Sequence, residues 1–251
     1  MLDAEQAFAE MAKKDGSKTA FLAYLSEDSL IFQPDRTNGR EFWEKAKPSE
    51  SLLSWFPVYA DISVNGTIGY TTGPWEYRPK KDAEPVAFGD FITIWEMRGE
   101  DYKAVVDIGI SHDKANISRP ENVASPPADP KAAENKGYAG DAATAFYEML
   151  GLGFTAKAYK QFADDNIRLY RDGVQPALGK KAAVSLAGKS KLKITKRISF
   201  YGTSDLAYVT NRYEIINGKV ITETGNFLQI WKFTGGKWKI VVDVFAALPK
   251  A

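Results

Sequence analysis

The chain has no cysteine, and that excludes disulfides, thiolate metal sites and cysteine nucleophiles together. It has a single histidine, His112, so a transition-metal site has too few ligands to draw on, and no metal is expected. No apolar run approaches the ~18 residues that a membrane-spanning helix needs, so no membrane span is expected. Glycine-rich phosphate loops, Ser-His-Asp signatures and zinc motifs are absent too, and no cofactor is implied. The opening residues lack the charged and apolar regions of a secretory signal. An amphipathic pattern begins at Asp3, so a leader already removed would fit, and the missing cysteines suit export. The expectation leans towards an exported protein over a cytoplasmic one.

What the chain does have is aromatic and apolar content, 13% and 44%, enough for two cores in 251 residues. Its net charge of +1 hides an asymmetry. Residues 1–112 hold 12 Lys and Arg against 19 Asp and Glu, a net of −7, whereas residues 138–251 hold 17 against 9, a net of +8. Opposite halves on one chain favour mutual docking through a screened attraction. The densest basic stretch, Lys189, Lys191, Lys193, Lys196 and Arg197, has no aromatic residues interleaved for base stacking, so it reads as a solvated face or an interdomain contact and not as a nucleic-acid site.

The chain is also written twice. Residues 89–109, GDFITIWEMRGEDYKAVVDIG, and 225–245, GNFLQIWKFTGGKWKIVVDVF, are identical at 9 of 21 positions without a gap. The echo extends upstream, from 25–32 to 162–169 and from 69–77 to 206–214. A repeat of this length predicts two domains, 1–112 and 138–251. Between them, residues 113–137 carry four of the twelve prolines and no aromatic residue, as an extended, semi-rigid linker without regular structure would.

Each half opens with helix. Asp3 can cap a run with Ala4, Ala7, Phe8 and Met11 on one face, Ser17 a second helix with Phe21, Leu22 and Leu25 inward, and Asp141 a run with Ala142, Phe146, Met149 and Leu150. A further helix carries Tyr159 and Phe162. A short strand (29–33; 166–170) and a short helix from Gly39 or Gly179 follow, and the rest reads as a four-stranded antiparallel meander, with Asn217-Gly218 as a strong hairpin signal. The class is α+β, with helices packed on a curved sheet.

The pattern "G-[DN]-F-x-x-I-W … G-x-x-[YW]-K-x-V-V-D" resembles the SnoaL-like branch of the nuclear transport factor 2-like superfamily, over nearly the whole of both halves. That resemblance implies two tandem cone-shaped, cystatin-like rolls. In SnoaL-like cyclases an acid/base aspartate lies on the last strand, and Asp107 and Asp243 match that place. No tyrosine and acid pair can be set onto the oxyanion hole of ketosteroid isomerase, so that activity is not implied. In this superfamily sheets commonly pack against each other in dimers, so a tandem repeat is expected to form a pseudo-dimer within one chain.

If Gly99-Glu100 is a two-residue turn, Arg98 faces Asp101, Asp90 faces Gly109 and Ile92 faces Asp107. Asp90 and Asp107 then share a sheet face as diagonal neighbours, with Asn226 and Asp243 in the same places of the second half and Phe91, Trp95, Met97 and Tyr102 on the other face. Two close carboxylates would raise one pKa, as a proton-transfer catalyst requires, and the alternative is that they bond backbone at the cone's edge. His112 ends a strand and is expected to face solvent. Trp43, Trp55, Trp75 and Tyr24 read equally as a ligand pocket or as ordinary core. Three functions remain open: a protein that binds a small apolar or amphipathic molecule, a cofactor-free isomerase, dehydratase or cyclase using Asp107, and an interaction module with vestigial pockets.

Overall fold

The computed structural model describes residues 1–153, 155–188, 192–194 and 199–249. Lys189, Lys191, Lys196 and Arg197 of the basic stretch lie outside the described residues, while Lys193 sits 3.8 Å from Glu214. The chain divides into two compact units, Met1–Pro127 and Ala128–Ala251.

In the first unit the helices α1 (Leu2–Asp15) and α2 (Ser17–Tyr24) lead into β1 (Leu25–Phe32), β2 (Arg36–Asn38) and α3 (Gly39–Lys45). The strands β3 (Leu52–Trp55), β4 (Tyr59–Ile62), β5 (Ile68–Arg78), β6 (Ala87–Arg98) and β7 (Asp101–Ser111) complete it. The second unit repeats the plan with α4 (Ala139–Gly151), α5 (Thr155–Phe162), β8 (Ala163–Arg171), β9 (Val174–Leu178), α6 (Lys180–Ala187), β10 (Leu192–Ile194), β11 (Tyr201–Gly202), β12 (Leu206–Asn217), β13 (Val220–Thr234) and β14 (Lys237–Ala247).

The two sheets have the same order, β2-β1-β7-β6-β5-β3 and β9-β8-β14-β13-β12-β10. Each is a seven-stranded sheet in which three long antiparallel strands are joined by a parallel one, β1 on β7 and β8 on β14, so the four-stranded antiparallel meander is corrected. Strand pairing also corrects the repeat alignment upstream. Leu25 pairs with Ala104 and Ala163 with Ile240, so Leu25 answers to Ala163, one residue later than the sequence echo suggested.

The helix caps differ from expectation. Met1, Gly16 and Tyr138 hold the cap positions, and Asp3 and Asp141 sit in first turns, where a carboxylate favours the positive helix end. The buried stripe of α1 is Glu5, Phe8, Ala9 and Ala12, whereas Ala7 is exposed. The segment 113–137 is not structureless. Ala60 N–H donates to Ala124 O at 2.9 Å, and a short 3-10 helix, Pro130–Glu134, follows Asp129, whose Oδ2 accepts from Gly235 N–H at 2.9 Å. Among the described residues no helix is long and apolar enough to cross a membrane.

The feature that positions the site is a β-bulge. From Arg98↔Asp101 to Trp95↔Ala104 the β6–β7 register is the expected one, but the next pair is Ile94↔Val106. The extra residue, Val105, reverses the faces beyond it and bends the strand. The second unit places its bulge identically, between Ile230↔Val242 and Trp231↔Ile240.

Candidate functional site

The bulge overturns the carboxylate pair. Asp107 lies opposite Thr93 and Asp90 opposite Ile110, so the two aspartates point to opposite faces of the sheet. Asp243 opposes Gln229 and Asn226 opposes Ala246, with the same result. Asp107 joins the face of Phe91 and Trp95 that packs under the helices, the face to which it was not assigned. Asp90 is buried on the other face against His112, Oδ2 to Nε2 at 2.6 Å, and the His112 Nδ1 lies 2.7 Å from Asp113 O. His112 is therefore buried and not solvent-facing, with both ring nitrogens engaged.

Under the helices of the first unit is a cavity of about 880 Å³. Trp43, Trp55, Trp75 and Phe91 line it, with Asp107 and Gly109 on its sheet side and Lys18, Gln33 and Lys47 also on its boundary. Three of the predicted aromatic residues thus come together with Asp107. Tyr24 does not join them; it stacks on Phe8 at 5.2 Å in the core. Trp75 is held by Nε1 donating to Asp90 O at 3.2 Å and by Gly89, where a Cβ would stand 2.6 Å from its ring.

Asp107 is half-buried, and among the described residues no protein group donates a hydrogen bond to it. Its neighbour across the strands, Thr93, has a buried hydroxyl without a partner. Burial first, and the charge of Glu5 second, push the Asp107 carboxyl up to about 7. Glu5 is the acid that sequence reading missed. It is fully buried and accepts from Trp55 Nε1 at 2.6 Å, Thr71 Oγ1 at 2.5 Å and Trp95 Nε1 at 3.1 Å. Desolvation raises its pKa, and those three bonds lower it. The available signal was a charged residue inside the i, i+3, i+4, i+7 stripe 5-8-9-12.

Asp243 has the same backbone place in the second unit but a closed setting. Tyr159 Oη and Gln229 Nε2 donate to its Oδ2 at 2.5 and 3.0 Å, and Tyr147 Oη and Trp231 Nε1 donate to Gln229 Oε1 at 2.7 and 2.8 Å. Burial raises the Asp243 carboxyl to about 7, against those bonds and the charge of Arg171. Phe245 stands where the first unit has Gly109, and its ring lies 4.9 Å from that of Tyr213.

No protein-family model matches the chain, and no curated relative matches it. Several solved structures resemble somewhat under half of the chain in fold. A nuclear transport factor 2-like protein of unknown function from Shewanella oneidensis is 22% identical over 42% of this chain and 93% of its own, with a TM-score of 0.35. One with a cystatin-like fold from Novosphingobium aromaticivorans is 10% identical over 48% and 86%, TM-score 0.38, and one from Cytophaga hutchinsonii 16% over 43% and 93%, TM-score 0.36. In fold, the chain is two tandem α+β rolls similar to nuclear transport factor 2-like, cystatin-like proteins.

Proposed function

We propose that the first unit binds a small, largely apolar molecule whose one polar group meets Asp107. The observation that carries this reading is the aromatic cavity of about 880 Å³ that reaches a carboxyl with no protein donor among the described residues. Cavities of roughly 300–1,000 Å³ with a few convergent polar groups are the common form of a small-molecule site. Burying Asp107 without a partner has a cost that only a ligand or water can offset. The test is quenching of tryptophan fluorescence by a panel of amphiphiles, with mass spectrometry of any molecule extracted from the purified protein. Saturable quenching that is lost when the cavity is filled is expected. A panel without a single binder would overturn the reading.

A second reading rests on the same carboxyl. At a pKa of about 7 it can both take and return a proton near neutral pH, as a cofactor-free isomerase or dehydratase requires. Asp107→Asn would then lower turnover by about 10²–10⁴-fold, the usual contribution of general acid–base catalysis. Turnover unchanged in that variant would exclude this reading while leaving binding intact.

A further inference from the structure

The charged side chain on the sheet side of the first unit's cavity is an acid. Asp107 reaches the cavity without a protein donor, and Glu5 lies behind the wall with its oxygens committed to the N–H groups of Trp55 and Trp95. An indole that donates its N–H to a carboxylate gains electron density on its ring faces, the surface that attracts cations. Trp43 and Trp75 line the cavity as well. The amine of Lys18 does not serve the interior: its Nζ donates to Glu44 O and Ala46 O at 2.9 and 2.7 Å. Lys47 is exposed, and residues 1–112 carry a net of −7 that favours the approach of cations.

The second unit supplies an independent observation. Arg171 pairs with Phe245 as the parallel neighbour of β14, and its guanidinium lies over the Phe245 ring at 4.0 Å. Its charge acts on Asp243, Tyr159 and Tyr213. Yet Nε, Nη1 and Nη2 are buried without a hydrogen-bond acceptor, so the ring face and the nearby Asp243 charge are what hold this cation. Strand register gives Arg171 the place of Gln33 and Phe245 the place of Gly109, and both of those line the first unit's cavity. One copy of the repeat thus carries an organic cation of its own beside the last-strand aspartate. The other has Gln33 and Gly109 at those places and is open there.

We infer that the ligand class of the first unit is an organic cation, an amine or quaternary ammonium on an apolar body, whose charge takes in the first unit the place that the Arg171 guanidinium takes in the second. This rests on the binding reading above and deepens it.

The test compares decyltrimethylammonium, decylamine, decanol and decanoate by tryptophan quenching and calorimetry on the full chain. Both cations should bind at least about tenfold more tightly than decanol, a difference within reach of a desolvated cation–π contact, and decanoate should not bind. Burial holds the Asp107 carboxyl up to about 7, so cation binding near neutral pH should release a proton, seen as a heat that depends on the buffer. Asp107→Asn should weaken both cations by more than it weakens decanol, leaving only the part of their preference that the ring faces supply. Gln33→Arg, which supplies the second unit's cation without its Phe245 ring, should exclude cations in a protein whose circular dichroism is unaltered. Decanol binding as tightly as the cations would overturn the cation inference and leave the pocket. Failure of all four probes would remove the pocket as well.

Discussion

Asp107 and Asp243 occupy one backbone position in two copies of the same roll, and burial pushes both to about 7, yet their surroundings differ completely. Four replacements account for this. Thr93 becomes Gln229, long enough to reach across the strands; Phe21 becomes Tyr159, which gains a hydroxyl at the aspartate; Gly109 becomes Phe245; Gln33 becomes Arg171. The backbone frame, including the bulge, is unchanged. The raised pKa is therefore a property of the place, because any carboxyl under these helices is desolvated. Whether it meets a cavity is a property of the neighbours.

The largest effect expected from breaking this comparison is at Phe245. Its ring is 1% exposed and packs on Tyr213 and Phe227, so Phe245→Ala should cost about 3–5 kcal/mol in urea denaturation, the range for emptying a core aromatic site. The equivalent Gly109→Ala should stay within about 0.5 kcal/mol, because a Cβ there meets nothing nearer than Trp75 Nε1 at 3.5 Å. Gly109→Phe should abolish ligand quenching while the fold stays intact. A loss as small at Phe245 as at Gly109 would mean that the second unit is not filled by this ring.

Next in size is Glu5, whose place in the second unit is taken by Ala143. Glu5→Ala leaves the Trp55 N–H and the Thr71 hydroxyl without this acceptor, while Trp95 Nε1 keeps Thr71 Oγ1 at 3.0 Å, and should cost about 3 kcal/mol at 1–3 kcal/mol for each buried group left unsatisfied. Glu5→Gln keeps a carbonyl acceptor and should cost less. It should also lower the Asp107 pKa, since the Glu5 charge is one of the two influences raising it. An Asp107 carboxyl whose ¹³C titration is the same in Glu5→Gln would show that Glu5 carries no charge.

Much of this was legible in the sequence. The echo between 89–109 and 225–245 gave two rolls, and it also printed the decisive difference, Gly109 against Phe245, at its last position. The face of Asp107 was not legible. A two-residue turn fixes register only until the first bulge, and nothing in Ala104-Val105-Val106 marks which residue is extra. His112 and Asp90 were misread for a related reason, since a strand-end histidine gives no sign of a partner 22 residues away. The aromatic residues read equally as pocket or core; Trp43, Trp55 and Trp75 line the cavity and Tyr24 lies in the core, and helix periodicity cannot separate a residue on the cavity wall from one a turn deeper.

The smallest effect is the most specific to the comparison. Asp243 is raised chiefly by desolvation, while Tyr159, Gln229 and the charge of Arg171 pull it down. Arg171→Gln, which writes the first unit's residue into the second, removes one of the lowering influences and should move the Asp243 pKa above 7. The sign for stability follows from proton linkage. Between the unfolded value near 3.8 and the folded value near 7, the folded chain holds a proton that the unfolded chain has released, so stability falls as pH rises through that window and levels above it. In Arg171→Gln the fall should continue past pH 7, and in Asp243→Asn this component should vanish. Asp107 and Glu5 contribute with the same sign, so Asp107→Asn should remove part of the slope that Asp243→Asn leaves. Gln33→Arg should shorten the Asp107 window by lowering its pKa. Urea midpoints taken from about pH 5 to 9 decide the matter: if Arg171→Gln and the parent fall in parallel and level together, Arg171 does not act on Asp243 as a resident cation, and the analogy between guanidinium and ligand loses its basis.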